Sequence, residues 1–138
     1  NALAGVANVT AVGFSTTINI ASTTGANLAG GNFSNLSTDD DDVNVTISDD
    51  LSFAHLLIIT GRAANITFGV NTSFAVSDFF SSGTDKTVGF TTIVDNNDPT
   101  INDSSVTISI SGASVDQQTV LNSFFDTSNN TNITMDYL

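Results

Sequence analysis

Short segments in which apolar and polar residues alternate recur along this chain. They are centred on residues 12–20, 43–47, 66–70, 106–110 and 133–137, and Ser, Thr, Asn or Gly fill most of the alternate positions. A period of two places apolar side chains on one face of a strand and polar side chains on the other. The pattern therefore predicts β-strands with one buried and one solvated face, and the less regular residues 87–94 are predicted as a further strand.

The polar residues between these segments favour turns rather than helices. The chain has 16 Asn, 17 Ser and 20 Thr, but no Glu and a single lysine, Lys86. Asn, Ser and Thr suit turns and strand faces, whereas Glu and Lys support helices. We therefore predict a mainly β chain with a single-domain, β-sandwich-like fold of about six to eight short strands over residues 1–138.

One or two short helices interrupt this pattern. Ser114 and Gln117 form a capping box ahead of an apolar run with helical spacing, which predicts a helix over residues 115–125. Residues 51–60 form an apolar run that fits either a helix or a buried strand. Residues 51–70 and 115–137 share the order apolar run, turn and Asn-Ile-Thr strand, with a degraded third copy at 76–94. This repeat is too faint to establish a solenoid.

The charge balance excludes several classes of partner. The net charge is −12, and all 14 acidic residues are Asp. Such a chain cannot present a basic patch to a nucleic acid, and an anionic membrane surface would repel it. The longest apolar run, Phe53–Ile59, is too short to insert across a bilayer.

Two further features predict the compartment. Cysteine is absent, which excludes disulfides and thiolate chemistry and favours a bacterial or archaeal cell surface over a secreted animal domain. The sequence begins at Asn1 without Met, as expected for an exported product from which a signal has been removed. We therefore expect an extracellular protein.

N-glycosylation sequons are the most frequent motif. They occur at Asn8, Asn32, Asn35, Asn44, Asn65, Asn71, Asn102, Asn129 and Asn132. This is roughly twice the number that composition predicts, and it indicates a glycoprotein. The alternative is strand alternation, since Asn-Val-Thr and Asn-Ile-Thr place both polar residues on the solvated face of a strand.

Aspartate clusters suggest calcium as the only candidate cofactor. The candidate ligands are Asp39, Asp40, Asp41, Asp42, Asp95, Asn97 and Asp98. Carboxylate and amide oxygens on loops are the ligands that calcium takes, although no EF-hand loop is present. The alternative is that these residues form solvated turns that keep an acidic protein soluble.

The sequence does not indicate an enzyme. A catalytic triad would have to use His55, the only histidine, which lies in an apolar run. The nucleophile-elbow motif is absent, and no Asp pair is marked for acid–base work.

In composition and strand pattern the chain resembles prokaryotic extracellular β-rich surface-assembly subunits, such as donor-strand pilins, surface-layer proteins and adhesin modules. Its Asn-Val-Thr and Asn-Ile-Thr strands, its Asp39–Asp42 and Asp95–Asp98 turns and its lack of Cys and Glu carry the likeness. The resemblance implies a structural subunit that polymerises with copies of itself by strand donation. The alternative is a carbohydrate- or surface-binding module of a large adhesin.

The two ends of the sequence are candidates for a donated strand. One is the segment from Asn132 to Leu138, which ends on the apolar pair Tyr137-Leu138, and the other is the N-terminal segment. Residues 1–20 would be donated or exchanged, with Val12, Phe14, Ile18 and Ile20 filling pockets of a neighbour. The alternative is that this segment pairs within its own domain.

Overall fold

A computed structural model describes residues 16–34, 36 and 41–138 of the chain. The strands are β1 (Thr16–Thr23), β2 (Asp41–Ile47), β3 (Asn65–Phe68), β4 (Thr72–Ala75), β5 (Phe80–Ser82), β6 (Asp85–Lys86), β7 (Thr100–Ile101), β8 (Val106–Ser111) and β9 (Ile133–Asp136). The α-helices are α1 (Gly25–Ala29), α2 (Phe53–Ile59), α3 (Val76–Phe79), α4 (Val88–Thr91) and α5 (Val115–Phe124). A 3₁₀ turn (Gly31–Phe33) and a π-helix (Thr92–Asn97) complete the described elements.

The strands form two parallel sheets. Sheet A has the order β1-β2-β3-β7 and sheet B the order β4-β8-β9, while β5 and β6 form a separate antiparallel hairpin. Within each sheet the strands follow chain order, so the chain winds as a coil that stacks strand on strand. Each turn of the coil contributes one level. The levels are β1, then β2, then β3 with β4, then β7 with β8, and finally β9.

The predicted β-sandwich is wrong. The fold is mixed α/β with parallel sheets, about 32% helix and 32% strand. Alternation identifies which face of a strand is buried, but it does not identify the partner strand or its direction. Parallel neighbours need long crossover connections, and here these contain helices: α1 between β1 and β2, α2 between β2 and β3, and α5 between β8 and β9.

The helix predicted over 115–125 is present as α5. Ser114 Oγ accepts a hydrogen bond from the Gln117 amide, and Gln117 Oε1 accepts one from the Ser114 amide, so both halves of the capping box form. The ambiguous run over 51–60 is the helix α2, capped by the Ser52 hydroxyl.

The strand predicted at 87–94 is wrong, because these residues form α4 and the start of the π-helix. Thr87 Oγ1 accepts a hydrogen bond from the Phe90 amide and caps the helix. Phe90 and Ile93 are both fully buried at a spacing of three residues, which suits a helix face. Burial of these two side chains therefore overrides the β-propensity of the Thr and Val residues around them.

The core lies inside the coil and is rich in phenylalanine. Phe79 is fully buried, and its ring centroid lies 5.1 Å from that of Phe53, 5.4 Å from Phe74 and 5.0 Å from Phe90, all edge-on. Such pairs add to the stabilisation from burial alone. No helix in the described part of the chain is long and apolar enough to cross a membrane.

Tight corners join the two sheets within a level. Gly69 follows β3, and its amide donates to Ile47 O of the level before at 2.7 Å. A Cβ at Gly69 would lie 2.6 Å from that same carbonyl oxygen, so the corner requires glycine. At the next corner, the buried Ser104 hydroxyl accepts from the Phe68 amide at 3.1 Å and donates to Asn102 O at 3.0 Å. Side-chain and backbone bonds thus hold successive corners in register.

Candidate functional site

An asparagine ladder runs across the outer face of sheet A. It consists of Asn19, Asn44 and Asn65, which occupy matching positions on β1, β2 and β3. Asn44 Nδ2 donates to Asn19 Oδ1 at 2.8 Å, and Asn65 Nδ2 donates to Asn44 Oδ1 at 2.6 Å. The residues on either side of Asn19 and Asn44, and Ile66 after Asn65, are buried in the core. The ladder therefore fixes the register of three levels from the outside.

Hydroxyl and amide groups continue this face to the last level of sheet A. Asn102 Nδ2 donates to Thr67 Oγ1 at 3.2 Å, which links the β3 level to the residue after β7. A shallow pocket of about 230 Å³ lies on this face, beside Asn19, Asn44, Thr46 and Thr67. The arrangement presents preorganised amides and hydroxyls to solvent.

A second polar feature, which we term the corner groove, lies beside the turn between β3 and β4. It has a volume of about 410 Å³ and is lined mainly by Asn71, Ser105, Thr107, Thr131, Asn132 and Thr134. These residues come from three successive levels of the coil. Since hydroxyls and amides dominate its walls, the groove can hydrogen-bond a polyhydroxylated molecule such as a sugar.

Two sequon residues, Asn71 and Asn132, line the corner groove. Asn71 is exposed, and its Oδ1 accepts a hydrogen bond from the Thr107 amide at 2.8 Å. The Asn132 side chain is held by Asp103, because its Nδ2 donates to Asp103 Oδ2 at 2.8 Å. The backbone amide of Asn132 also donates to Asp103 Oδ1 at 3.1 Å.

The other sequon residues are spread over the molecule. Asn44 and Asn65 belong to the asparagine ladder, and Asn102 bonds Thr67. Asn129 is exposed, and its Nδ2 donates to both carboxylate oxygens of Asp126. Asn8 and Asn35 lie outside the described residues, as does the side chain of Asn32.

The candidate calcium ligands are not brought together in the described residues. Asp39 and Asp40 lie outside them, and Asp41 and Asp42 begin β2 with side chains that are not described. Within the described residues, no group of three or more acidic or histidine side chains could hold a metal ion.

The later cluster sits at the end of the π-helix. Asp95 and Asn97 belong to that helix, and Asp98 ends it with φ of 36°, in the left-handed region. The carboxylates of Asp95 and Asp98 are exposed, and the side chain of Asn97 is not described. Calcium binding stays a prediction.

The predicted assembly residues divide into two pairs. Val12 and Phe14 lie outside the described residues. Ile18 and Ile20 are buried in the chain's own core at 4% and 2% exposure, opposite Val43 and Val45 in sheet A. Donation of these two side chains to a neighbour would require β1 to leave its own sheet.

Side chains cap two of the sheet edges. Asn130 is buried, and its Nδ2 donates to Ile101 O on the edge strand β7 at 2.6 Å and to Phe125 O at 2.9 Å. In sheet B the capped edge is the first strand, β4, where Asp50 Oδ1 accepts a hydrogen bond from the Ser73 amide at 3.0 Å. These two residues occupy positions where a further strand would otherwise pair.

The strand β9 is the last in sheet B, and among the described residues it pairs only with β8. Ile133 is buried and Met135 packs against the core, whereas Thr134 points outward and is exposed. Tyr137 follows β9, and its hydroxyl lies 2.6 Å from Asn122 Oδ1, to which it donates. Burial raises the pKa of Tyr137 to about 12.

The two cations and the histidine have separate surroundings. Arg62 donates from one guanidinium nitrogen to Leu28 O and Gly30 O, each at 2.7 Å, at the end of α1. Partial burial lowers the pKa of Arg62. Lys86 lines a cavity of about 390 Å³ between the π-helix and α5, with Phe90, Phe124 and Asp98. His55 lies half-buried on α2.

The residues that the sequence did not reveal are mainly amides and carboxylates of the loops. Asn19 and Asn130 carry no sequon, and Asp50 and Asp103 belong to no metal motif. Their distant partners lie 23 to 29 residues away along the chain. Only Asn19 carries a local signal, since the alternation puts it on the polar face of β1.

Comparison with known proteins gives no relative: no protein-family model, no curated protein and no solved structure matches this chain.

Proposed function

We propose that this chain is a structural, self-assembling subunit of an extracellular filament or surface layer, in which copies join through the ends of the coil. The role is mechanical rather than catalytic. The observation that carries the proposal is the stacking of parallel levels, because each level contacts mainly its neighbours and ends in a strand edge. Architectures of this kind extend in one dimension and need their ends capped or occupied.

The two ends of sheet B differ in a way that favours growth at one of them. The β4 edge is blocked by Asp50, which already accepts the Ser73 amide. The β9 edge pairs with β8 on one side, and no other described residue pairs along its outer side. Strand edges with unpaired backbone groups and a partly apolar inner face readily add a further strand. The outer side of β9 is therefore the surface at which a second copy joins.

A pair of lysine substitutions on β9 tests this assembly. Met135→Lys places a charge on the inner face of the edge strand, which is a known way to prevent edge pairing. Thr134→Lys places the same charge one residue away on the exposed outer face. We expect the unchanged protein and Thr134→Lys to form filaments or sheets in negative-stain electron microscopy, and Met135→Lys to remain dispersed.

Circular dichroism and analytical ultracentrifugation complete the experiment. A folded, monomeric Met135→Lys variant supports the edge contact, whereas an unfolded variant calls for the milder Met135→Gln. Imaging with calcium and with a chelator tests whether calcium lies at the contacts. Single particles of the unchanged protein under every condition would overturn the proposal.

The corner groove favours a second candidate function, as a carbohydrate-binding module of a large adhesin. Its hydroxyl and amide lining suits sugars, although the described lining residues include no aromatic ring for stacking. A glycan array tests this alternative: a hit that Thr107→Val abolishes would favour binding over assembly.

A further inference from the structure

We propose that Asn71 is the N-glycosylation site of the folded protein, among the six sequons whose asparagine side chains the structure describes. The proposal rests on the extracellular location in the proposed function, because glycosyl transfer takes place outside the cytoplasm. It adds to that function the residue to which a glycan would be attached. Two independent observations carry it: the state of the acceptor nitrogen and the state of the sequon hydroxyl.

The acceptor nitrogen is engaged at five of these six sequons. Nδ2 of Asn44 and of Asn65 donates along the asparagine ladder, and Nδ2 of Asn102 donates to Thr67. The carboxylates of Asp126 and Asp103 hold Nδ2 of Asn129 and of Asn132. A transferase would have to break these contacts before it could use the nitrogen.

Asn71 has the opposite arrangement. Its Oδ1 accepts from the Thr107 amide at 2.8 Å, which fixes the side-chain orientation, while its Nδ2 donates to no described group. Neither hydrogen on that nitrogen is therefore used within the described part of the chain. The residue is exposed at a corner of the coil, between β3 and β4.

The sequon hydroxyl separates Asn71 from two of the other five described sequons. Ser73 completes the Asn71 sequon; it is exposed, and its hydroxyl makes no hydrogen bond to a described group. By contrast, Ser104 of the Asn102 sequon is buried and bonded twice, and Thr67 of the Asn65 sequon is bonded to Asn102. Asn71 is thus the sequon in the described part of the chain where both required groups are free.

The corner groove can seat the first sugar. Asn71 lines the groove together with Thr107, Thr131 and Thr134. A volume of about 410 Å³ accommodates a hexose-sized ring. A glycan on Asn71 can therefore lie against the protein surface and bridge levels of the coil.

The chemical step is transfer from a lipid-pyrophosphate-linked oligosaccharide. The bond between the anomeric carbon of the donor and its phosphate oxygen breaks, and a bond forms from that carbon to Asn71 Nδ2. The lipid pyrophosphate departs with the electron pair of the broken bond, and Nδ2 loses one proton to solvent. No oxidant or reductant is required.

The test is glycosylation of the purified, folded protein by a single-subunit oligosaccharyltransferase with its lipid-linked donor. Intact mass and glycopeptide mass spectrometry then count and locate the glycans. We expect one glycan, on Asn71, which is lost in Asn71→Gln and kept in the matched control Asn132→Gln. Ser73→Ala removes the sequon hydroxyl without touching the Asn71 amide, and it should reduce occupancy at least tenfold.

Three outcomes would overturn the proposal. One is a first glycan at any other described sequon, and another is unchanged occupancy in Asn71→Gln. The third is a folded protein that accepts no glycan while the denatured chain does. The Met135→Lys variant, which is designed to block assembly, is glycosylated in parallel, so that a failure of assembly is distinguished from a failure at Asn71.

Discussion

The buried amide of Asn130 gives the sharpest test of how the coil is held together. Asn130 Nδ2 donates to Ile101 O at 2.6 Å and to Phe125 O at 2.9 Å, and the side chain is 6% exposed. These bonds join the edge strand β7 to the end of α5. If the amide is removed, both carbonyl oxygens lose a partner in a region closed to water.

The cost follows from those two acceptors. A buried polar group left without a partner costs about 1–3 kcal/mol. Because both carbonyls share one donor nitrogen, we expect Asn130→Ala to lower the free energy of unfolding by about 2–4 kcal/mol in total. For a chain of this length about 1 kcal/mol corresponds to roughly 4 °C, so the melting temperature should fall by roughly 8–16 °C.

The matched control lies next along the chain. Asn129 is exposed, and its side-chain amide donates to the carboxylate of Asp126. Asn129→Ala should change the free energy of unfolding by no more than about 0.5 kcal/mol. Urea denaturation followed by circular dichroism measures both variants.

An isosteric change separates hydrogen bonding from packing. Asn130→Asp keeps the shape but points a carboxylate at two carbonyl oxygens, which favours its neutral form and raises its pKa above the unfolded value of about 3.9. Relative to the unchanged protein, the variant should therefore become less stable as pH rises above about 4. Equal stability of Asn130→Asp and the unchanged protein at neutral pH would refute the reasoning, because packing alone would then explain the residue.

Two further predictions concern a corner and the C-terminal tyrosine. Gly69→Ala should lower the free energy of unfolding by about 1–3 kcal/mol, because the new Cβ would lie 2.6 Å from Ile47 O. The control Gly31→Ala places its Cβ where nothing lies within 4 Å, so it should be neutral or slightly stabilising in the same denaturation assay. Equal losses of stability in the two variants would contradict this prediction. Absorbance titration of Tyr137, the only tyrosine, should give a midpoint near 12 in the folded protein, since burial raises its pKa to about 12. Stability from the neutral phenol is full below about pH 10 and is lost as pH rises through the folded pKa, so a folded midpoint near 10 would count against the burial.

The sequence predicted where most strands lie, but not how they pair. The alternation of Val43, Val45 and Ile47 identifies β2 and its buried face. A strand with one solvated face usually belongs to an antiparallel sheet, since parallel sheets are generally covered on both sides. Here the strands are parallel although their outer face is polar. The asparagine ladder and the neighbouring hydroxyls form hydrogen bonds with one another on that face. Pairing direction depends on the connections, which the alternation does not record.

The sequence also shows only part of the structural repeat, because the connections between levels differ in length. The echo between residues 51–70 and 115–137 corresponds to α2 followed by β3 and to α5 followed by β9. Paired residues lie 21 apart from Val45 to Ile66, but 36 apart from Thr72 to Ile108. The extra length holds α3, the β5–β6 hairpin, α4 and the π-helix. An insertion of this size hides the period, so levels that are equivalent in space are unequal in sequence.

The sequons could be found from the sequence, whereas the corner groove could not. Asn71 and Asn132 meet at one groove although 61 positions separate their numbers, and only the stacking of levels brings them there. The structure also separates two origins of the sequon excess. In the strands, Asn44-Val-Thr46 and Asn65-Ile-Thr67 place Asn in the ladder and Thr on the same outer face, so fold register alone accounts for these sequons. Asn71 lies at the corner, where no strand period requires an Asn. Strand register does not explain why its Nδ2 donates to none of the described residues.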